Sequence, residues 1–177
     1  MKPTTLVYPI DADNRILMGR KKRGFGVGKY NGFGGKIDRN ETFRQCAVRE
    51  LYEEAGLVAK PEDLECIGLF DFRFPGDESL THIGYIYVVR VFTGIVEETD
   101  EMEPHWIPLD SIPYEHMWQG DWQWLPRLLQ GARLVGPIVF NEDNETVDMM
   151  KLVSVESVLE SEFIARIDGY ILEVVQE

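Results

Sequence analysis

The chain has few cysteines, a shortage of positive charge and no long apolar run. Cys46 and Cys66 are the only cysteines among 177 residues. That is too few for a disulfide framework, and their spacing is not that of a metal site, so a reducing, cytoplasmic setting is expected. The opening MKPTTLVYPIDADN places no long apolar stretch behind a basic segment and does not read as a signal peptide. No run approaches the roughly 18 apolar residues that suggest a bilayer span, so no membrane partner is expected. Lys and Arg number 18 against 31 Asp and Glu, a formal net charge of -13. Duplex nucleic acid calls for clustered cations, and there is no basic tract beyond Lys21, Lys22 and Arg23, so nucleic acid is set aside as a partner. Two readings of the acidity remain. Either it is a solvated surface, or some carboxylates hold divalent cations that supply the charge a phosphate needs. Spacing separates them.

With 44% hydrophobic residues the chain can bury a core, and one α/β domain is the economical expectation. Residues 4–10 and 15–18 read as a hairpin around DADN. Six glycines between Gly24 and Gly35 suit a loop that needs unusual φ values or close backbone approach. Residues 41–55 read as a helix with Gly56 as its C-terminal cap. Residues 64–74 and 82–92 are strand-like, with DESL turning between them. Residues 106–109 form a short apolar piece, and 121–130 a helix interrupted by Pro126. Residues 135–140 and 147–155 bracket NEDNET as a second hairpin. The last twenty or so residues are expected to add a helix and a strand.

The helix at 41–55 carries the chemistry. At about 100° per residue, Glu50, Glu53 and Glu54 share an arc of roughly 100° on one face. Ala47, Val48 and Leu51 occupy the adjoining arc and are expected to pack on a sheet. Like charges at this spacing repel, and the helix C-terminus disfavours anions, each effect costing a few tenths to about 1 kcal/mol. Arg49 offsets part of this by pairing with Glu53 at i+4. Bound Mg²⁺ would offset far more, because hard cations take carboxylate oxygens and keep positions open for phosphate and water.

Three glutamates on a helix, taken alone, more often mean a solvated acidic surface than a metal site. The surrounding residues decide otherwise. From Gly35 to Leu57 the order is Gly, five residues, Glu41, seven residues, Arg49-Glu50, Leu51, one residue, Glu53-Glu54, one residue, Gly56-Leu57. A chance match is on the order of 10⁻⁹ per starting position, so the segment is identified as a Nudix box and the chain resembles the Nudix hydrolases. The resemblance implies an α/β/α sandwich with a mixed central sheet. It implies one Nudix domain over residues 1–177, with a core at about 4–155 and a C-terminal extension at about 157–177. It carries metal ligation over to Glu50, Glu53 and Glu54, with the Gly34 carbonyl as a further ligand, and makes Mg²⁺ the expected cofactor with Mn²⁺ as a substitute. The reaction implied is attack of a metal-activated water on phosphorus, with Glu54, or Glu53 beside it, as the general base. Glu41 and Arg49 are expected to organise the loop and helix.

Outside the box, KKRGFGVGKYNGFGGK, DEMEPHWIPLDSIP and HMWQGDWQWLP resemble the oxidised-purine nucleoside triphosphatases, the 8-oxo-dGTP and 2-hydroxy-dATP hydrolases of the MutT-homologue group. The likeness runs over about residues 5–155 and is weak over 74–99. It implies a nucleoside triphosphate substrate, cleansed from the nucleotide pool by an enzyme acting as a monomer. Asn31 would bond a purine edge, with Thr5 and Lys21 lining the same pocket and Phe25, Phe72, Met102 and Trp118 as walls. Aromatic rings can sandwich the faces of a purine, and an amide can read its edge. Phe33, Gly34, Gly35 and Lys36 are implied as further substrate contacts, and Glu101 as a metal ligand outside the box. One departure stands out: the family places two adjacent acids shortly after the pocket Trp, whereas here Gly120 replaces the first and only Asp121 remains. Two close carboxylates hold a proton more readily than one, so a narrowed or shifted base preference is expected. Other nucleoside diphosphate derivatives, or a catalytically silent nucleotide sensor, are the alternatives; the intact acids argue against silence.

Overall fold

Short apolar runs separated by Asp, Asn and Gly fold into eleven strands and two α-helices among the described residues. The structure, a computed structural model, describes residues 2–160. The helix and strand expected in the last twenty residues fall largely on 161–177, outside the described residues. The strands are β1 (Lys2–Pro9), β2 (Arg15–Lys21), β3 (Tyr30–Asn31), β4 (Leu57–Val58), β5 (Leu64–Arg73), β6 (His82–Val89), β7 (Thr93–Gly94), β8 (Met102–Pro108), β9 (Leu134–Phe140), β10 (Val147–Met150) and β11 (Val153–Ser154). The helices are α1 (Phe43–Ala55) and α2 (Asp121–Leu129). The largest sheet has the order β1-β6-β5-β9-β10, with β11 also on β9. It is mixed, because β5 runs parallel to β9 while β10 runs antiparallel to it. This is the mixed α/β class expected.

Among the described residues the chain divides into two compact units, the first comprising residues 2–4, Cys66–Ile86 and 118–160, the second Thr5–Glu65 and Tyr87–Met117. In the first, β5 and β9 keep register from Gly68↔Leu134 to Arg73↔Val139. Helix α2 buries Trp124, Leu125 and Leu128, and Trp124 meets Phe70 edge to face at 5.1 Å. Pro126 sits inside α2 without ending it, contrary to the expected interruption. Burial of each large apolar side chain contributes about 1.5–3 kcal/mol, enough together to outweigh the roughly 3 kcal/mol a helical proline costs. The hairpin around NEDNET forms, with Asp143 accepting the N–H groups of Glu145 and Thr146. Its second arm is not the continuous strand expected: the register shifts between Val147 and Met149, and pairing resumes at β11.

In the second unit β2 lies between β3 and β8, in unbroken register with β8 from Arg15↔Pro108 to Lys21↔Met102. The hairpin expected at DADN is reduced to a single Ile10↔Ile16 bridge, closed by Asp11, which accepts the N–H of Asp13 and Arg15. The two flanking strands do not ladder together, because β2 commits its length to β8 while β1 joins the large sheet. Residues 106–108 turn out to be the end of the longer β8, and Leu109 lies in the turn after it. Helix α1 starts at Phe43, later than expected: Thr42 accepts the N–H of Gln45 while the Gln45 side chain accepts that of Thr42, a reciprocal cap. It ends on Gly56 at φ 72°, as expected. Phe43, Cys46, Ala47, Leu51 and Ala55 are its buried apolar residues. Val48 is only half-buried, a correction to the packing arc expected for it. No helix among the described residues is long and apolar enough to cross a membrane.

Candidate active site

Arg49 is the hub of the box. Its Nε and Nη2 meet the two carboxylate oxygens of Glu41 at 2.8 and 3.0 Å, a planar two-point pairing. Its Nη1 reaches Glu50 at 2.8 Å and Glu53 at 3.1 Å, the latter the i+4 pair expected from the sequence. Glu41 also accepts the Asp38 N–H at 3.0 Å. The Arg49 hydrogen bond holds the Glu41 carboxyl below its usual range, and Glu41 in turn raises Arg49. Glu41 and Arg49 therefore lock the loop after Gly35 onto α1.

The acids on α1 stand in different environments. Glu54 is 5% exposed, and its Oε2 accepts the Gly34 N–H at 2.8 Å. Burial pushes its carboxyl up to about 8, against the opposing pull of Gly34 and Lys21. Burial also raises Glu50, with Arg49 pulling it down and the charges of Glu53 and Glu101 pushing it up. The Glu53 side chain is 54% exposed. Glu101 is pushed up by burial, yet ends below its ordinary value because Lys21, at 3.2 Å, and Arg23, at 3.5 Å, pair with it. Two glycines allow this approach. A Cβ on Gly34 would overlap the Thr5 carbonyl, and one on Gly35 would overlap the Glu50 carboxylate.

These donors fit a hard divalent cation by chemistry: all are oxygens, and burial raises both Glu50 and Glu54, so their negative charge is incompletely compensated. Among the described residues no three His, Cys, Asp or Glu side chains converge on one point. Each carboxylate is turned to another partner instead: Glu50 and Glu53 to Arg49, Glu54 to Gly34, Glu101 to Lys21.

The other site residues named from the sequence divide between the units. In the second, the glycine loop takes the unusual backbone expected, with φ of 77°, 80° and 84° at Gly24, Gly26 and Gly28. Phe25 stands 44% exposed within it. The Asn31 carbonyl oxygen accepts the Tyr8 hydroxyl at 3.2 Å and the Gly32 N–H at 2.9 Å, which leaves its NH₂ as the donor side. Thr5 is buried with its hydroxyl 3.3 Å from the Cys46 sulfur, and burial pushes that thiol up to about 12. Phe33 and Met102 are buried, and a Cβ on Gly19 would press on both. Lys36 is exposed, its carbonyl 3.4 Å from Arg49 Nη2.

Phe72, Trp118 and Asp121 lie in the first unit. Phe72 and Trp118 are half-buried. Phe72 stacks on His82 with centroids 4.9 Å apart. Asp121 is buried and accepts the Trp118 N–H at 3.2 Å. Gly120 is packed tightly: a Cβ there would lie 2.7 Å from Met150 Cε and 3.2 Å from Val147 Cγ2. Sequence reasoning missed Tyr8, which donates its hydroxyl to the Asn31 side chain, and His82, which stacks on Phe72. Neither lies in a motif, and no spacing signals the contact of Tyr8 with Asn31, 23 residues on, or that of His82 with a ring on the neighbouring strand.

A model of the NUDIX domain matches residues 1–128. The chain is 41% identical over 155 residues to the oxidized purine nucleoside triphosphate hydrolase of Danio rerio, covering 88% of this chain and 96% of that one. It is 40% identical over 143 residues to the protein of the same name from Mus musculus, covering 81% and 89%. A crystal structure of a mutator MutT protein from Bacillus halodurans superposes with a TM-score of 0.75 over 86% of this chain and 97% of that one, at 22% identity, and shares the fold. With the domain match spanning most of its length and every position of the box occupied, the chain belongs to the NUDIX family.

Proposed function

We propose that the protein hydrolyses oxidised purine (deoxy)nucleoside triphosphates to the monophosphate and pyrophosphate, and so cleanses the nucleotide pool. The carrying observation is the pair of carboxylates at half-buried Glu50 and buried Glu54, both raised by desolvation, on a helix braced by Arg49. The zebrafish and mouse relatives, both named as oxidized purine nucleoside triphosphate hydrolases, support the substrate class. Nudix hydrolases generally need divalent metals, and Mg²⁺ is the one proposed here, with Mn²⁺ as a substitute. Glu50, Glu53, Glu54, Glu101 and the Gly34 carbonyl would hold it. When bound, the cation supplies positive charge for the phosphoryl oxygens and acidifies water.

The chain's own residues do the rest. Glu54 Oε2 is held by the Gly34 N–H, so Oε1 is the atom proposed to take the proton of the attacking water, with Glu53 the alternative base. Arg49 orients Glu50 and Glu53. Phe72 and Trp118 are proposed to stack on the purine, Asp121 to meet its edge, and Asn31 to donate from its NH₂, with Thr5, Lys21, Phe25, Gly34, Gly35 and Lys36 as further nucleotide contacts. Phe33 and Met102 would contribute through packing beside Gly19. A panel of 8-oxo-dGTP, 2-hydroxy-dATP, dGTP and dATP with Mg²⁺, with products identified, tests the proposal. Preference for an oxidised purine with release of pyrophosphate is expected. Release of single phosphate, or equal turnover of all four, would refute it.

A further inference from the structure

Within the first unit, Phe72 and Trp118 are joined by an unbroken run of ring contacts that the box does not use. The His82 ring lies on Phe72 at 4.9 Å and 29° and faces Phe74 at 6.1 Å and 17°. Phe74 stacks on Phe140 at 4.4 Å and 9°, and Phe140 meets Trp118 edge to face at 6.0 Å and 77°. His82 is fastened from behind, its Nδ1 2.6 Å from the Leu80 carbonyl. A carbonyl only accepts, so Nδ1 carries the hydrogen. The turn bearing Leu80 is itself closed: Asp77 accepts the Ser79 N–H, the Leu80 N–H meets the Asp77 carbonyl, and the Thr81 hydroxyl accepts the Phe74 N–H. On the Phe72 ring edge, a Cβ added to Gly84 would come within 3.1 Å of Cε2.

We propose that His82 is a positioning residue for base recognition: anchored to Leu80, it fixes the Phe72 ring and, through Phe74 and Phe140, ties it to Trp118. The inference rests on the reading of Phe72 and Trp118 as purine-stacking rings. A half-buried Phe otherwise samples several ring orientations, and a ring ordered before binding lowers the cost of receiving a flat bicyclic base. One side chain supplies both needs here, a flat face for Phe72 and an N–H for the turn.

The test is steady-state hydrolysis of 8-oxo-dGTP and of a base-free deoxyribose 5′-triphosphate by the full chain with Mg²⁺. His82→Ala is expected to raise KM for 8-oxo-dGTP about three- to tenfold, the range of one aromatic contact, with kcat held within about twofold. The base-free compound should be unaffected. His82→Phe, which keeps the ring but not the N–H, should recover part of the loss. If His82→Ala does not fold, Phe140→Leu interrupts the same run and should raise KM about two- to fourfold on the nucleotide alone. Should wild type favour 8-oxo-dGTP and the folded variants keep its KM, or lose both substrates in parallel, the positioning role is overturned while the stacking reading stands. Equal KM for both compounds in wild type removes the stacking reading, and the proposal with it.

Discussion

The Glu54 carboxylate accepts the Gly34 backbone N–H at 2.8 Å while only 5% of the residue meets solvent. The loop glycine thus orients one oxygen of the most buried acid on α1, and the Cβ-free backbone at Gly34 lets the loop lie against Thr5. Glu54→Gln keeps the shape and the hydrogen-bond acceptor but cannot take a proton. Loss of a general base costs about 10²–10⁴-fold, so kcat should fall by that order with the circular dichroism spectrum unchanged. Undiminished kcat would remove Glu54 as the base.

The same burial sets a pH dependence in metal-free protein. Glu54 is lifted from 4.5 to about 8, so between those values the native state holds a proton that the unfolded chain has released. This group's contribution to stability is full below about pH 4.5 and declines as pH rises through 8. At about 1.4 kcal/mol per pH unit the decline amounts to several kcal/mol. Urea midpoints of metal-free protein should fall from pH 5 to 8, the slope should flatten in Glu54→Gln, and Mg²⁺ should restore stability at pH 8 by favouring the ionised carboxylate. A wild-type slope identical to that of the variant would contradict the assignment.

Arg49 joins Glu41, Glu50 and Glu53 through one planar group. Lysine keeps the charge but cannot reproduce the two-point pairing with Glu41. Arg49→Lys is expected to lose about 2 kcal/mol in urea unfolding, the scale of a hydrogen bond between charged groups. Because Arg49 also aims Glu50, kcat should fall as well. A neutral effect on both would mean the hub is decorative.

Gly120 faces Met150 and Val147, so an acid cannot be restored there without movement. Gly120→Asp should cost about 1–3 kcal/mol, because Met150 must shift and a carboxylate is placed in a buried position. Gly120→Asp combined with Met150→Ala should relieve the crowding. If the missing acid narrows base preference, the ratio of kcat/KM for 2-hydroxy-dATP to that for 8-oxo-dGTP should move toward unity in the double variant. An unchanged ratio would show that residue 120 does not set the preference.

The legible parts of the fold were those with local causes. Gly56 and the glycine loop were readable because positive φ is a property of the residue itself. Arg49 with Glu53 was readable because i and i+4 meet on any helix. The start of α1 was misplaced because Thr42 and Gln45 form a cap that depends on two side chains choosing each other. The DADN hairpin shrank to one bridge because β2 found a seven-residue partner in β8, more than 80 positions away. Pro126 was tolerated because the burial of Trp124 and its neighbours outweighs one lost backbone bond.

By itself the sequence determined the family, because every position of the box from Gly35 to Leu57 is occupied, and helical spacing put Glu50, Glu53 and Glu54 on one arc of α1. It could not rank them. Neighbours on one helix, Glu54 is buried against Gly34 and lifted to about 8, while the Glu53 side chain is 54% exposed. Only the tertiary structure decided this, because desolvation depends on what the chain lays over a helix face, and here that is a loop twenty residues upstream, admitted by two glycines without a Cβ.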